Sequence, residues 1–80
     1  MSPLPPFAEG RAWTKGASKA KGLDECVYHD AKDGYEYAPD PRPSRRTWHQ
    51  IDPRRGLYRD IDPDTGDPIA GREGEWRPLK

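Results

Sequence analysis

The sequence predicts a mostly β protein: a small twisted antiparallel sheet, built as one hairpin plus a three-stranded meander, between an irregular N-terminal arm and an irregular C-terminal tail. Two hexapeptides of matching frame predict the meander, Ile51-Asp52-Pro53-Arg54-Arg55-Gly56 and Ile61-Asp62-Pro63-Asp64-Thr65-Gly66. In each, an Asp side chain can bond the backbone ahead of it, Pro presets φ and Gly supplies positive φ, so each is a chain reversal. Two reversals at this spacing leave room for one ordinary strand between them. The second observation is a pair of β-prone runs, residues 26–29 and 34–37, around a turn that ends in Asp33-Gly34, which is a hairpin signal. The third is period-two alternation. It puts Trp48 and Gln50 on one side of a strand and His49 with Ile51 on the other, then Leu57, Arg59 and Ile61 on one side of the next strand with Tyr58 and Asp60 opposite.

Taken in order, residues 1–22 contain four cations, one anion and three prolines, and no sustained periodicity, so they predict a flexible basic arm. A brief helix over residues 14–21 is the alternative there, opposed by Gly16 and the lack of an apolar face. Residues 23–80 form a single small β-domain. Its first hairpin is followed by residues 38–44, where three prolines predict an extended, polyproline-like connection outside the sheet. Strands over residues 48–52, 57–62 and 67–70 complete the meander, with Pro68 marking the last as an edge. Trp76 is placed to pin the tail.

The core must be small. Leu, Ile, Val and Phe number only nine, while Gly and Pro contribute 8 and 10 residues. Such a composition borders on that of disordered chains, but the zero net charge and the eight aromatic rings point to a fold. The lone Cys26 has no partner for a disulfide, and a reduced, partly buried thiol is expected. No apolar run is long enough to span a membrane and the opening residues lack the basic and apolar regions of a leader, so the expectation is a cytoplasmic protein with no membrane contact.

Charge is segregated along the chain. Residues 42–59 carry six arginines against one Asp, and are flanked by acidic blocks at 23–41 and 60–69. Arginines interleaved with aromatic residues suit phosphate contact and base stacking. Arg54, Arg55, Arg59 and Arg72 are therefore candidate RNA-phosphate contacts, with Trp48 and Tyr58 as stacking residues. The chemistry of RNA cleavage by attack of its own 2′-hydroxyl needs a base, an acid and cations on the phosphorane, and no metal. His29, beside Asp30, and His49, beside Trp48, are the candidate imidazoles. No metal site or cofactor is expected. Cys26-x-x-His29 with His49 supplies three ligands where a structural zinc site usually has four. Asp60-x-Asp62-x-Asp64 departs from a calcium loop at Thr65 and Gly71.

The segment Tyr58-Arg59-Asp60-Ile61-Asp62-Pro63-Asp64-Thr65-Gly66, with Gly71 beyond it, resembles the last hairpin of colicin E3-type cytotoxic ribonuclease domains, found at the C-termini of bacterial polymorphic toxins. Upstream, Tyr28-His29-Asp30-Ala31-Lys32-Asp33-Gly34-Tyr35-Glu36 resembles the same family's aromatic-Asp-x-x-His-Gly segment. The resemblance covers residues 26–72 and is close only in Asp-Pro-x-Thr-Gly. It implies a metal-independent endoribonuclease on a twisted antiparallel sheet, acting on RNA or the ribosome. Asp30 matches the family's Asp, Glu36 lies one position from its Glu, and Arg72 or Arg77 stands for its Arg. Asp33 occupies the place of the family's His, so His29 or His49 must supply that function. The catalytic candidates are then Asp30, Glu36, His29 and His49. The alternative is a non-catalytic protein-interaction module, such as a small phage or accessory protein that docks on a larger partner through its edge strand or Pro-rich loop.

Overall fold

The computed structural model describes residues 4–42, 44 and 46–79. They form one open antiparallel sheet of six strands in sequence order: β1 (Trp13–Ala17), β2 (Cys26–Asp30), β3 (Glu36–Pro39), β4 (Trp48–Asp52), β5 (Leu57–Ile61) and β6 (Arg77–Pro78). Every connection joins neighbours.

The two hexapeptides make the reversals their residues dictate. Asp52 Oδ1 accepts from the backbone N–H groups of Arg54 and Arg55, the Gly56 N–H closes on the Asp52 carbonyl at 2.9 Å, and Gly56 has φ +66°. In the second, Asp62 Oδ1 accepts from the Asp64 N–H and the Gly66 N–H reaches the Asp62 carbonyl, both at 2.7 Å, with Gly66 at φ +80°. The four-residue turn between Asp52 and Leu57 fixes the β4–β5 register. It sets Ile51 opposite Tyr58, Gln50 opposite Arg59 and His49 opposite Asp60.

Both faces of the sheet are covered. On one, Val27, Ala38 and Ile51 pack with Ala20, and Leu23, Tyr58 and Leu79 close over them. On the other, Tyr37, Trp48 and Ile61 pack with Phe7, Trp13, Tyr28 and Tyr35. Trp13 stacks on Tyr37 with 4.7 Å between ring centroids, and Phe7 meets both rings edge-on. With so few aliphatic residues, aromatic contacts do much of the packing.

Four local expectations are corrected. The described part of the arm is structured: residues 6–8 form a 3-10 turn whose Phe7 N–H bonds the Pro63 carbonyl, and residues 13–17 pair with β2 along their whole length. Burial of Phe7 and Trp13 overrides the absence of periodicity, and no helix forms over residues 14–21. The proline-rich connection starts later than predicted, because Ala38 and Pro39 pair with His49 and Trp48. Pro39 is the last residue of its strand, where a missing N–H costs little. Residues 67–70 contribute only an isolated bridge between Ile61 and Pro68, and the strand that pairs with β5 comes instead from the tail. Cys26, finally, is exposed at the start of β2. Pro43 of the connection and Arg45 of the basic block lie outside the described residues.

Candidate functional site

Strand pairing places His49 of β4 beside Asp60 of β5, and the chain just past β3 brings Asp40 to the same imidazole. Asp40 is held there by its N–H on the Thr47 carbonyl, which closes the loop between β3 and β4. His49 Nε2 lies 3.1 Å from Asp40 Oδ2 and 3.4 Å from Asp60 Oδ1. Both carboxylates are buried, while the imidazole keeps 23% of its surface. Each carboxylate also holds an arginine. Arg42 donates Nε and Nη2 to Asp40 at 3.0 and 2.8 Å, and Arg77 Nη2 donates to Asp60 Oδ1 at 3.0 Å. The Arg42 bonds hold the Asp40 carboxyl well below the usual range, against the opposing push of burial. Arg77 also lies over the Tyr58 ring, 4.5 Å from its centroid, and that ring stands 5.2 Å from His49. The buried Nε of Arg77 has no hydrogen-bond partner among the described residues.

Two carboxylate oxygens on one ring nitrogen make that nitrogen the donor. The neutral imidazole is thereby fixed as the Nε2–H tautomer, which leaves Nδ1 as the proton acceptor. The three ligand-type atoms of Asp40, His49 and Asp60 lie within 4.8 Å of one another and could be read as a metal tripod. Two arginines already balance the two carboxylates, however, so a divalent ion would enter a set with no surplus negative charge. The other metal spacings fail on geometry. Cys26 and His29 are an odd number of strand positions apart and point to opposite faces, and Asp62 is used in its turn.

The catalytic candidates read from sequence fall into three places. Asp30 is buried on the Tyr37 face, away from His49, where it accepts from Lys32 N, Asp33 N, Trp13 Nε1 and Arg11 Nη1. Burial raises its pKa, but those donors outweigh burial and the net shift is downward. It is a structural carboxylate that ties β1 to the β2–β3 turn. His29 and Glu36 do meet, as cross-strand partners with 3.6 Å between Nδ1 and Oε2. Glu36 is buried and accepts from Ser18 Oγ at 2.6 Å and Lys19 N at 2.7 Å, anchoring the β1–β2 loop across the sheet. His29 Nε2 donates to the Ala17 carbonyl at 3.0 Å, while its Nδ1 stands beyond hydrogen-bond reach of Glu36. Only His49 joins the cluster described above.

The predicted RNA contacts divide similarly. Trp48 is 8% exposed and packed into the aromatic cluster, which removes it as a stacking surface. Tyr58 is half-buried beside His49. Arg59 lies on the opposite face, bonded to Gln50 Oε1 and 4.2 Å from the Trp76 centroid, where Arg55 also contacts the ring while paired with Asp52. Trp76 meets Tyr35 as well, and so pins the tail. Arg54 and Arg72 are exposed. The arginines at His49 are Arg42 and Arg77. Asp40 was not singled out from sequence, Arg42 entered only as one of the six arginines of the basic block and Asp60 only as the first position of a rejected calcium loop, although the length of the β4–β5 turn alone sets Asp60 opposite His49. No helix among the described residues is long and apolar enough to cross a membrane. No protein-family model, curated protein or solved structure matches the chain.

Proposed function

We propose that this chain is a small RNA-binding and RNA-cleaving domain that works in the cytoplasm without a metal ion, with His49 as its general base. The observation that carries the reading is the clamp on His49 Nε2 by two buried carboxylates, each neutralised by its own arginine. Nδ1 takes the proton of a ribose 2′-hydroxyl, the oxygen attacks the adjacent phosphorus, and the 5′-oxygen leaves with a proton from water. A 2′,3′-cyclic phosphate remains. Arg42 and Arg77 supply the cations at the phosphorane. Asp40 and Asp60 hold the tautomer and do not touch the substrate. The resemblance of residues 58–66 to cytotoxic ribonucleases supports the same chemistry.

The test is incubation of the protein with ribosomes or total RNA in the presence of a chelator. Discrete cleavage is expected, falling by about 10²–10⁴-fold in His49→Ala, the range for loss of one acid/base group. Undiminished cleavage in that variant overturns the assignment. A second reading, a non-catalytic module that docks on a larger protein, is favoured by β1, a five-residue edge strand with Thr14, Lys15 and Ala17 exposed. No cleavage of any RNA, together with a stable complex lost on Lys15→Pro, whose N–H the register turns away from β2, would favour the module.

A further inference from the structure

β1 is the outer strand at one margin of the sheet, and its backbone phase decides which of its groups face outward. The bonds just past its ends, Ser18 N–H to the Glu25 carbonyl and Ala31 N–H to the Ala12 carbonyl, turn the even-numbered residues toward β2. Trp13, Lys15 and Ala17 therefore point their N–H and C=O groups away from the sheet. Two of those groups are spent within the chain: the Trp13 N–H on the Arg11 carbonyl, and the Ala17 carbonyl on His29 Nε2. The Trp13 carbonyl, both Lys15 groups and the Ala17 N–H have no hydrogen-bond partner among the described residues. Of the usual guards of an edge strand, Lys15 is the one present, with no proline and no bulge in the register with β2.

The charge along this edge has one sign. Residues 11–21 include Arg11, Lys15, Lys19 and Lys21 and no acid. Arg11 is bound to Asp30 and Asp33, but the three lysines are exposed and form no ion pair among the described residues. On the other face of the strand Gly16 leaves the backbone bare, and a side chain laid over it would meet the His29 ring, 3.7 Å from an added Cβ. An alternating row of donors and acceptors matches another peptide strand, whereas a phosphate backbone offers acceptors alone and would meet two carbonyls. A second copy paired so that the open groups satisfy one another sets Lys15 opposite Lys15, like charge against like. We infer that β1 is a docking edge for an extended acidic segment of another protein, which adds a seventh strand with a carboxylate beside Lys15 and an apolar side chain over Gly16. It gives the docking reading its partner, and it holds whether or not His49 cuts RNA.

Amide exchange measured by NMR on the intact chain tests it, with acetyl-Thr-Val-Glu-Val-Glu-Val-Thr amide as the probe and its Lys-for-Glu analogue as the control. Alternation puts both Glu side chains of the probe on one face and its valines on the other. At millimolar probe the Lys15 and Ala17 amides should become protected. The Glu peptide should bind on the order of tenfold more tightly than the Lys peptide, the effect of two cross-strand charge pairs. Lys15→Glu, an exposed change that keeps the backbone, should invert that order. No protection of the two amides, or equal affinity for the two peptides, overturns the inference. Protection in the free chain that grows with protein concentration assigns the edge to a second copy, and protection by poly-uridylate assigns it to RNA, and either overturns the acidic partner. Peptide binding by a chain that cuts no RNA refutes the ribonuclease reading alone, whereas cleavage without peptide binding refutes this inference alone.

Discussion

Replacing Asp30 separates a structural carboxylate from a catalytic one. Its side chain is 1% exposed and collects four donors. Oδ1 takes Lys32 N and Asp33 N at 2.8 and 3.2 Å, and Oδ2 takes Trp13 Nε1 and Arg11 Nη1, both at 3.0 Å. Arg11 is 44% exposed and regains water, so its share is small, about 0–1 kcal/mol. The turn N–H groups, on exposed residues, also partly rehydrate. The indole N–H is the one stranded against the sheet, at about 1–3 kcal/mol, and a hydrogen bond to a charged acceptor is otherwise worth roughly 1.5–3 kcal/mol. Asp30→Ala should therefore cost about 3–5 kcal/mol. Asp30→Asn keeps Oδ1 for the turn but turns an amide toward Trp13, and should cost about 2 kcal/mol. Against a total of about 4–12 kcal/mol for a chain of this length, the Ala variant approaches unfolding. Urea titration followed by tryptophan fluorescence reads this directly. At a slope of about 1 kcal/mol/M, Asp30→Asn should lower the midpoint by about 2 M. Folded Asp30→Asn should still cleave RNA, because residue 30 and His49 face opposite sides of the sheet. Midpoints within about 0.5 M of wild type for both variants would refute the account of the four bonds.

Gly66 and Gly56 occupy like turns with unlike surroundings: an added Cβ at Gly66 would lie 2.7 Å from Phe7 Cδ2, whereas at Gly56 it meets nothing within 4 Å. Gly56→Ala should cost only the strain of the left-handed region, about 1–2 kcal/mol. Gly66→Ala should cost roughly twice that, because it also displaces Phe7 from Trp13 and Tyr37; equal midpoints in urea would show that Phe7 does not seat there. Acid should destabilise the fold in a defined window. Asp30, Asp40 and Asp52 have folded pKa values below their usual 3.8, so their stabilisation is complete above the unfolded value and is lost as pH falls through the folded ones. The urea midpoint should vary little with these groups at pH 5 and fall steadily below about pH 4, and a midpoint unchanged from pH 5 to pH 2 would contradict the bonding described for the three carboxylates.

The hexapeptide turns were legible because everything they need is local: an Asp oxygen over the next N–H groups and a Gly with positive φ. Strand faces followed from alternation, and the sides assigned to Trp48, His49, Leu57 and Tyr58 are those the sheet adopts. The outer strands were not legible, for opposite reasons. Trp-Thr-Lys-Gly-Ala of β1 has no alternating apolar pattern and becomes a strand because β2 offers a free edge and Trp13 has Tyr37 and Tyr28 to stack on. Two-residue β6 is too short to carry any pattern and is set by its register with β5, by the Leu79 N–H on the Gly56 carbonyl and by Arg77 on Tyr58 and Asp60. Both depend on partners remote in sequence.

The site divides along the same line. Asp60 was within reach of sequence, since a four-residue turn closing Asp52 on Leu57 forces residue 60 opposite residue 49. Asp40 was not, because it sits in a proline-rich loop whose path is set by tertiary bonds, from its N–H to the Thr47 carbonyl and from its carboxylate to His49. The two histidines, equal by sequence, are separated by what their second nitrogen does. His29 donates Nε2–H to the Ala17 carbonyl, and its Nδ1 faces the buried Glu36 carboxylate at 3.6 Å, so neither nitrogen is turned to a ligand. His49 concentrates its partners on Nε2, where two carboxylates compete for one proton and leave the other nitrogen to accept. A ring nitrogen that faces a buried carboxylate has no room for a substrate hydroxyl, while one left over from partners gathered on the other nitrogen is placed to accept a proton. That asymmetry, set by strand register rather than residue type, is what singles out His49.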